Sequence, residues 1–309
     1  MTTLTRKPAR PLTVGNLFKH LFLITLTFIW LLPITAALFT SVRTQRDINK
    51  NGFWNFSMVG QEIQLRAEER AAELDVPVDA SQWFQAFLNN YTQAWTNARV
   101  SRYLLNSFII TLPSLFFMLL LSSLTAYALA RYKFALNMPI YFLFVSGTML
   151  PFQILLLPVF RLTSDLGLYN TYWALILIHT TFQMGFCTFV LRNFMKGIPS
   201  EIFDAAQVDG SSEFRSFWQI MLPLSLPGLA AVGTLEFTWV FNDYLWAIIL
   251  ISKDALRPVT AGLSTLQGQY VTDWPVITAG AILGTLPTVL VFIFLQRYFI
   301  QGLTLGSNK

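Results

Sequence analysis

The chain has 309 residues, a mean hydropathy of +0.52, 54% hydrophobic residues and only 12% charged residues. Soluble domains carry about 25% charged residues, so this composition indicates a membrane protein. The single cysteine, Cys187, excludes an intrachain disulfide and a cysteine metal cluster. We therefore interpret the net charge of +5 through membrane topology rather than through nucleic-acid binding.

Six apolar stretches are long enough to cross a bilayer core, which takes about 20 helical residues. They cover 18–40, 103–128, 138–160, 171–191, 222–251 and 278–299. The first is longer than the apolar region of a signal peptide, about 7–15 residues, and is predicted to be a retained transmembrane helix. Kinks are expected at the prolines inside these stretches, namely Pro33, Pro113, Pro151, Pro158, Pro227 and Pro287.

The distribution of Lys and Arg orients these six stretches. An even number of spans puts both termini on one side, and the short loops on that side carry the excess of basic residues. The positive-inside rule therefore predicts an N-in, C-in protein. Its parts are a cytoplasmic N-terminus (1–17), a first transmembrane helix (18–40), an extracytoplasmic loop (41–102), a transmembrane core (103–299) and a cytoplasmic tail (300–309).

The loop 41–102 is expected to contain two helices. In 61–76, Glu62 and Arg66 have the i,i+4 spacing of a solvated helix. In 79–95, Asp79 and Gln82 have capping-box spacing. The apolar face of this second helix consists of Phe84, Phe87, Leu88, Tyr91 and Trp95. It either packs on the chain itself or docks an external partner, and the sequence leaves both open.

Catalytic motifs are missing from the sequence. It has no GxxxxGK[ST] for a P-loop, no HExxH and no GxSxG. Of its two histidines, His179 lies in an apolar stretch, where an interhelical hydrogen bond is the expected role. We therefore expect a chain that is not itself an enzyme.

The polar segment DAAQVDGSSEF, 204–214, interrupts the apolar part of the chain. EIFDAAQV is helical by propensity, with Ser200 as the expected N-cap. Gly210 is predicted to take the left-handed conformation that ends this helix, and Ser211 or Ser212 to cap the next one. Ala205 and Ala206 add little bulk, while Asp204 and Asp209 offer hydrogen-bond acceptors. The segment is either a docking surface for another protein or an ordinary solvated loop.

Two carboxylates, Glu236 and Asp243, lie in the fifth apolar stretch. Their spacing of seven would put them within about 20° of one helix face, and intramembrane carboxylates usually face a bundle interior or an aqueous cavity. With Trp239 and Asn242 nearby, they predict a path for a sugar, although Asp243 is equally suited to a structural role in helix packing. Gln153 is a weaker candidate, for the path or for an interhelical hydrogen bond.

A different class of function remains open on these residues alone. In an ion-gradient-driven transporter or a channel, Glu236 and Asp243 would be proton or cation sites. That alternative gives no function to the segment 204–214, which contains Ala205, Ala206 and Gly210.

The segment DAAQVDGSSEFRSFWQIMLPLSLP resembles the EAA loop of ABC-importer membrane subunits, with Asp204 in place of the usual Glu. The resemblance covers roughly 89–309 and is to carbohydrate-uptake permeases, in particular the second permease of maltose-type systems. It is carried further by NNYTQAW, YLLNSFIIT, AYALARYKF, LGLYNTYWALIL, FNDYLW, GLSTLQGQYVTDW and QRYFIQGLTLGSNK.

The resemblance implies an all-α type I ABC-importer permease fold with six transmembrane helices. It implies that 198–221 is the coupling loop that docks on an ATPase subunit, through Asp204, Ala205, Ala206, Asp209 and Gly210. The implied partners are a second permease, two ATP-binding subunits and an extracytoplasmic solute-binding protein, with a sugar as substrate and lipid around the helices.

The resemblance also implies where the cofactors and the protein itself reside. ATP and Mg²⁺ would be bound by the ATPase subunits, so no cofactor is expected in this chain. The location would be a bacterial or archaeal plasma membrane. The tail is expected to reach the ATPases or to be a frayed terminus. The sequence does not tell which sugar is carried or what segment 41–80 does.

Overall fold

The computed structural model describes residues 14–55, 59–267 and 272–304, with side chains described from 15 to 297 within these ranges. Within them the chain is helical apart from loops and one isolated bridge between Gln267 and Thr272. Most of the predicted cytoplasmic N-terminus and the tail from residue 305 onward lie outside the described residues.

Fifteen α-helices are numbered in chain order within the described ranges. They are α1 Val14–Val42, α2 Gln45–Asn51, α3 Val59–Leu74, α4 Ala80–Thr96, α5 Val100–Arg131, α6 Asn137–Thr148, α7 Leu156–Asp165, α8 Tyr172–Lys196, α9 Ser200–Val208, α10 Glu213–Ser216, α11 Leu222–Leu224, α12 Leu226–Phe241, α13 Leu245–Leu250, α14 Val259–Ser264 and α15 Trp274–Thr304. Short 3₁₀ helices cover Phe152–Leu155 and Asp254–Leu256, and a π-helical turn covers Phe217–Met221.

Four of these helices, α1, α5, α8 and α15, are each long and apolar enough to cross a membrane. Two further segments qualify only as bent pairs. The axes of α6 and α7 differ by 89°, and those of α10–α11 and α12 differ by 71°. The count is six if each bent pair is one span, which agrees with the all-α polytopic architecture predicted from sequence.

The predicted proline kinks are sharp at two places, and at three other prolines the helix continues. α1, α5 and α15 contain Pro33, Pro113 and Pro287 and continue through them as helices. The breaks lie at Pro151 and at Ser225, just before Pro227. Pro227 itself lies in the first turn of α12, where its missing N–H costs no helical hydrogen bond.

The predicted fifth span, 222–251, is not one helix. Helix begins earlier, at Glu213, and α12 ends at Phe241. The backbone N–H groups of Trp246 and Ala247 then donate to the Asp243 carboxylate, at 3.4 and 3.1 Å. Because Asp243 satisfies amides that would otherwise lack partners, it starts the separate helix α13. The predicted span is therefore corrected to a bent helix pair followed by a short independent helix.

The chain divides into two compact units. The first comprises Met1–Thr92 with Asp273–Ile282, and the second comprises Gln93–Thr272 with Leu283–Lys309. In the second unit, α5 and α8 pack against each other, and α12 packs against both. Gly185 of α8 allows close approach to α6, because a Cβ there would lie 2.6 Å from the Phe144 carbonyl oxygen.

The first unit is built around the C-terminal end of α1. Arg66 donates to the Arg43 carbonyl at 2.7 Å, and the Asn90 amide donates to the carbonyls of Ser41 and Arg43, both at 2.8 Å. These carbonyls have no partner within the helix, and the Arg66 guanidinium suits the negative end of the helix dipole. A small apolar core packs beside them, consisting of Val42, Val59, Ile63, Ala67 and Ala86.

Both helices predicted in the loop 41–102 are present as α3 and α4. α3 is only partly solvated, because Ile63, Ala67 and Ala71 are buried. Asp79 accepts from the Gln82 backbone N–H at 2.9 Å, as the cap predicts. Of the predicted apolar face, Phe87 and Tyr91 pack on the core of the first unit, whereas Phe84 and Trp95 are exposed. Docking of an external partner there stays a prediction.

An ion pair between Arg43 and Asp47 is buried in the first unit. Arg43 also donates to the Phe53 carbonyl at 3.1 Å, and Asn51 donates to Asp47 at 2.6 Å. Burial alone would raise the pKa of Asp47, but the hydrogen bonds from Arg43 and Asn51 outweigh it and the pKa lies below its ordinary value. The pair therefore stabilises the unit at neutral pH, and this contribution is lost as the pH falls below about 4.

Replacing Asp47 with Ala should destabilise the first unit by about 3–5 kcal/mol, because it leaves the Arg43 guanidinium buried without its counter-charge. Hydrogen exchange of the amides in 59–92 of the purified protein measures the loss. Glu73→Ala, which removes an exposed carboxylate from α3, is the control. Equal protection in both variants would show that the pair is not needed.

Candidate coupling segment and internal cavity

The helix α9 begins directly after Pro199, with Ser200 as its first helical residue. Ser200 was predicted to be the N-cap. That prediction is wrong, because the capping position belongs to Pro199 and no side chain there caps the helix. Glu201 lies in the first turn, where a negative charge suits the helix dipole.

The corner after α9 has the conformation predicted from sequence. Gly210 has φ +79°, its N–H donates to the Gln207 carbonyl at 3.0 Å, and the Ser211 N–H donates to the Ala206 carbonyl at 2.9 Å. These are the two bonds of a Schellman motif. Ser212 then caps α10 by accepting from the Arg215 N–H at 3.3 Å. The segment is a helix, a glycine corner and a second helix.

One edge of α9 is fastened to the C-terminal end of α5. Phe203 is buried, and the guanidinium of Arg131 lies 4.7 Å from the centre of its ring. Arg131 also donates to Asp204 at 2.8 Å. The Asp204 side chain nevertheless keeps 64% of its surface exposed, so it can still meet a group from another protein.

Glu213 joins three parts of the second unit through one carboxylate. It accepts from the Tyr132 hydroxyl at 2.6 Å, the Tyr127 hydroxyl at 3.0 Å and the Gln207 amide at 2.9 Å. Burial and the hydrogen bond to Glu213 raise the pKa of Tyr132, so its hydroxyl remains a donor. Sequence reasoning assigned Glu213 no role and missed this anchor. The available signal was the tyrosine pair in AYALARY.

The opposite face of the segment is apolar and exposed. Val208, Phe214 and Ile202 expose 89%, 71% and 41% of their surface. Ala205 is exposed beside them, and the Asp209 carboxylate makes no hydrogen bond or ion pair with the described part of the chain. Clustered exposed apolar side chains with acids at the rim are typical of a surface that docks another protein.

An irregular helix connects this surface to α12. The π-helical turn Phe217–Met221 follows α10, and the chain bends by 71° at Ser225. The Ser225 hydroxyl is buried without a hydrogen-bond partner in the described structure. Such π turns and breaks occur often at functional positions, because they weaken the helix at one place.

A cavity of about 880 Å³ opens within the second unit. Its walls combine aromatic rings with small polar groups. The aromatic residues are Phe152, Phe182, Trp239, Tyr244, Trp246 and Phe292, and the polar residues are Thr148, His179, Gln183, Thr234, Thr238, Asn242 and Asp243. Neither Arg nor Lys lines the cavity among the described residues.

Three of the five residues predicted for a translocation path line this cavity, namely Trp239, Asn242 and Asp243. Glu236 does not line it. Its side chain is 3% exposed and lies against the thiol of Cys187. The argument from seven-residue spacing fails here because α12 ends at Phe241, before Asp243. Gln153 is exposed but also lies outside the cavity lining.

His179 and Gln183 of α8 line the cavity although sequence reasoning did not propose them for a path. In place of the interhelical hydrogen bond expected for His179, there is a longer polar contact with Asp243. Its Nε2 lies 3.6 Å from the Asp243 carboxylate, beyond hydrogen-bond length. The described residues contain no group of three or more His, Cys, Asp or Glu side chains that could hold a metal ion.

Comparison with known proteins identifies the family in which the coupling segment and the cavity occur. Residues 91–305 match the family described as "Binding-protein-dependent transport system inner membrane component". The chain is 31% identical over 291 residues to the osmoprotective compounds uptake permease protein GgtD of Synechocystis sp., covering 94% of this chain and 91% of the relative. It is 33% identical over 301 residues to the arabinooligosaccharides transport system permease protein AraQ of Halalkalibacterium halodurans, covering 96% and 95%.

A solved structure agrees with the fold. The structure of a bacterial ABC transporter involved in the import of the acidic polysaccharide alginate contains a chain that superposes with a TM-score of 0.74 at 18% identity. The match covers 94% of this chain and 100% of that one. Together with the family match over 91–305, these similarities show that the chain belongs to the inner-membrane components of binding-protein-dependent transport systems.

Proposed function

We propose that this chain is one of two membrane subunits of an ATP-driven importer for a sugar or glycoside. The relatives that support this class are named for the transport or uptake of arabinooligosaccharides, α-glucosides and diacetylchitobiose. Two partner ATPase subunits would bind ATP and Mg²⁺, and a second permease would complete the path. The setting would be a bacterial or archaeal plasma membrane.

The observation that carries this proposal is the exposed coupling segment. The face of Ile202, Ala205, Val208 and Phe214 would seat in a cleft of the ATPase subunit, with Asp204 and Asp209 accepting hydrogen bonds from its cations. α9 is fastened to α5 by Asp204 and Glu213. A movement of the ATPase would therefore be transmitted directly to α5 and, through the bend at Ser225, to α12.

The other end of the second unit suits contact with a solute-binding protein on the opposite side of the membrane. Asn106 of α5 donates to the carbonyls of Ala255 and Arg257, both at 2.9 Å, and accepts from Tyr172 of α8 at 2.7 Å. These bonds hold the connection after α13 to both long helices. A related solved structure is titled as a complex with an alginate pentasaccharide-bound periplasmic protein, which supports such a partner.

The cavity would form this subunit's part of the translocation path. Aromatic faces and planar polar groups are the chemistry that binds sugars, and the cavity volume falls in the range of ligand sites, about 300–1,000 Å³. The ion-gradient alternative loses its basis here. Asp243 is occupied in starting α13, and Glu236 is buried outside the cavity.

Gly210→Val should impair coupling to ATP hydrolysis. A Cβ at Gly210 would meet no atom within 4 Å, so the cost is the strain of a left-handed conformation, about 1–2 kcal/mol and more for a β-branched residue. Uptake per ATP hydrolysed by the reconstituted transporter measures coupling. Gly210→Asn, which tolerates this conformation better, is the control. Normal uptake with Gly210→Val would contradict the proposal.

Glu213→Ala should loosen the coupling segment, because three donors lose their shared acceptor. We expect faster hydrogen exchange in 200–216, equivalent to about 1–3 kcal/mol, with exchange in α8 unchanged. Asp209→Ala removes a carboxylate without a partner and is the matched control. If both variants exchange like the native protein, Glu213 does not anchor the segment.

Thiol labelling distinguishes the two sides of α12. In a Cys187→Ser background, Trp239→Cys should react with a small water-soluble reagent, since Trp239 is 62% exposed and lines the cavity. Glu236→Cys should react at least about tenfold more slowly because position 236 is buried. If Glu236→Cys reacts and Trp239→Cys does not, in any nucleotide state, the path lies along the other face of α12.

A further inference from the structure

The cavity contains a buried side chain whose hydrogen-bonding capacity is unused. His179 is 3% exposed and lines the cavity, yet it forms no hydrogen bond within the described part of the chain. Its nearest carboxylate, that of Asp243, already accepts from two backbone N–H groups. The polar neighbour of His179 is therefore the Asp243 carboxylate at 3.6 Å, a longer contact than a hydrogen bond, and Gln183 makes no hydrogen bond within the described part of the chain. Polar groups with spare bonding capacity at a cavity wall indicate a ligand that completes their bonding.

Gln183 lies four residues after His179 on α8, so the two side chains share one face of that helix. Gln183 brings an amide with two donors and an acceptor, and the imidazole brings a donor and an acceptor. Across the cavity, Trp239 and Tyr244 expose 62% and 46% of their surface. The cavity therefore presents planar polar groups on α8 and aromatic surface near the end of α12.

We propose that His179 and Gln183 bind the solute directly and determine which hydroxylated ring the importer accepts. The inference rests on the proposed function and deepens it, because it assigns solute binding to this subunit in addition to lining the path. Hydroxyl groups of a sugar ring both donate and accept, so they satisfy an imidazole and an amide together. The rings of Trp239 and Tyr244 would cover the apolar C–H faces of the same sugar.

The charge of the lining narrows the class of solute. Asp243 is the ionisable acid at the cavity, and no Arg or Lys lines it among the described residues. A carboxylate or sulfate on the solute would therefore meet no Arg or Lys in this cavity and would be repelled by Asp243. The geometry points to an uncharged sugar unit.

The test uses the complete transporter in proteoliposomes, with its solute-binding protein at saturating concentration. Probes are radiolabelled maltose, trehalose, cellobiose and arabinobiose, with sodium digalacturonate as the anionic probe. Variants are Gln183→Leu, which keeps the volume, and His179→Ala, with His179→Gln to restore a donor and an acceptor. Gln61→Leu, at an exposed position of α3 outside the cavity lining, is the matched control.

We expect Gln183→Leu and His179→Ala to lower the maximal uptake rate of the best-carried neutral disaccharide about tenfold, as the loss of one or two hydrogen bonds implies. The ratio of uptake rates for the two best-carried disaccharides should change as well. His179→Gln should recover part of the rate. ATP hydrolysis without sugar and the Gln61→Leu control should match the native transporter, and digalacturonate should not be carried.

A merely structural role would lower the rates of all the disaccharides in proportion. An unchanged ratio with either variant would therefore overturn the proposal, while the import function would stand. Uptake of digalacturonate at a rate similar to the disaccharides would overturn the inferred class of solute. Failure of the native transporter to carry any of the four disaccharides would remove the proposed sugar import together with this inference.

Discussion

The carboxylate of Glu213 is the interaction on which the proposed transmission of force depends. It accepts from Tyr127 of α5, from Tyr132 directly after α5 and from Gln207 of α9. These three hydrogen bonds fix the coupling segment to one long helix. The Asp204–Arg131 pair lies beside it but is more exposed and is worth less in water. Without this anchor, a push on α9 would bend the loop instead of moving α5.

The interruption of the fifth span after Phe241 follows from one constraint. Backbone polar groups at membrane depth must be satisfied internally, so irregular backbone is tolerated only where protein groups or a cavity supply partners. At the break after Phe241, the Asp243 side chain supplies them and also lines the cavity. The same carboxylate is therefore structural and part of the cavity wall, which explains why sequence reasoning could not separate these roles.

Local chemistry made the coupling segment predictable. The helix, the glycine corner and the cap at Ser212 depend on bonds between residues a few positions apart, and all three are visible in DAAQVDGSSEF. The same holds for the four apolar helices that cross as single elements, whose length bilayer thickness dictates. The partners on and beside α5, which are Arg131 for Asp204 and Tyr127 and Tyr132 for Glu213, lie more than 70 residues away in sequence, so no local pattern contains them.

The cavity was predictable only in part. Trp239, Asn242 and Asp243 lie within five residues of sequence and were proposed together for the translocation path. Glu236 was included on the assumption of one continuous helix, which the end of α12 at Phe241 removes. His179 and Gln183 were missed because their role depends on the packing of α8 against α12. The local sequence around a histidine in an apolar stretch is the same whether the side chain packs against a helix or binds a solute.

The central claim, that the apolar face of α9 seats in an ATPase subunit, can be tested by site-specific photo-crosslinking. A benzophenone amino acid placed at Val208, which is 89% exposed, should form a covalent adduct with the ATPase subunit in the assembled transporter. The same probe at exposed Asn97, which precedes α5, should form none with that subunit. Absence of the adduct at Val208, or equal adducts at both positions, would contradict the account.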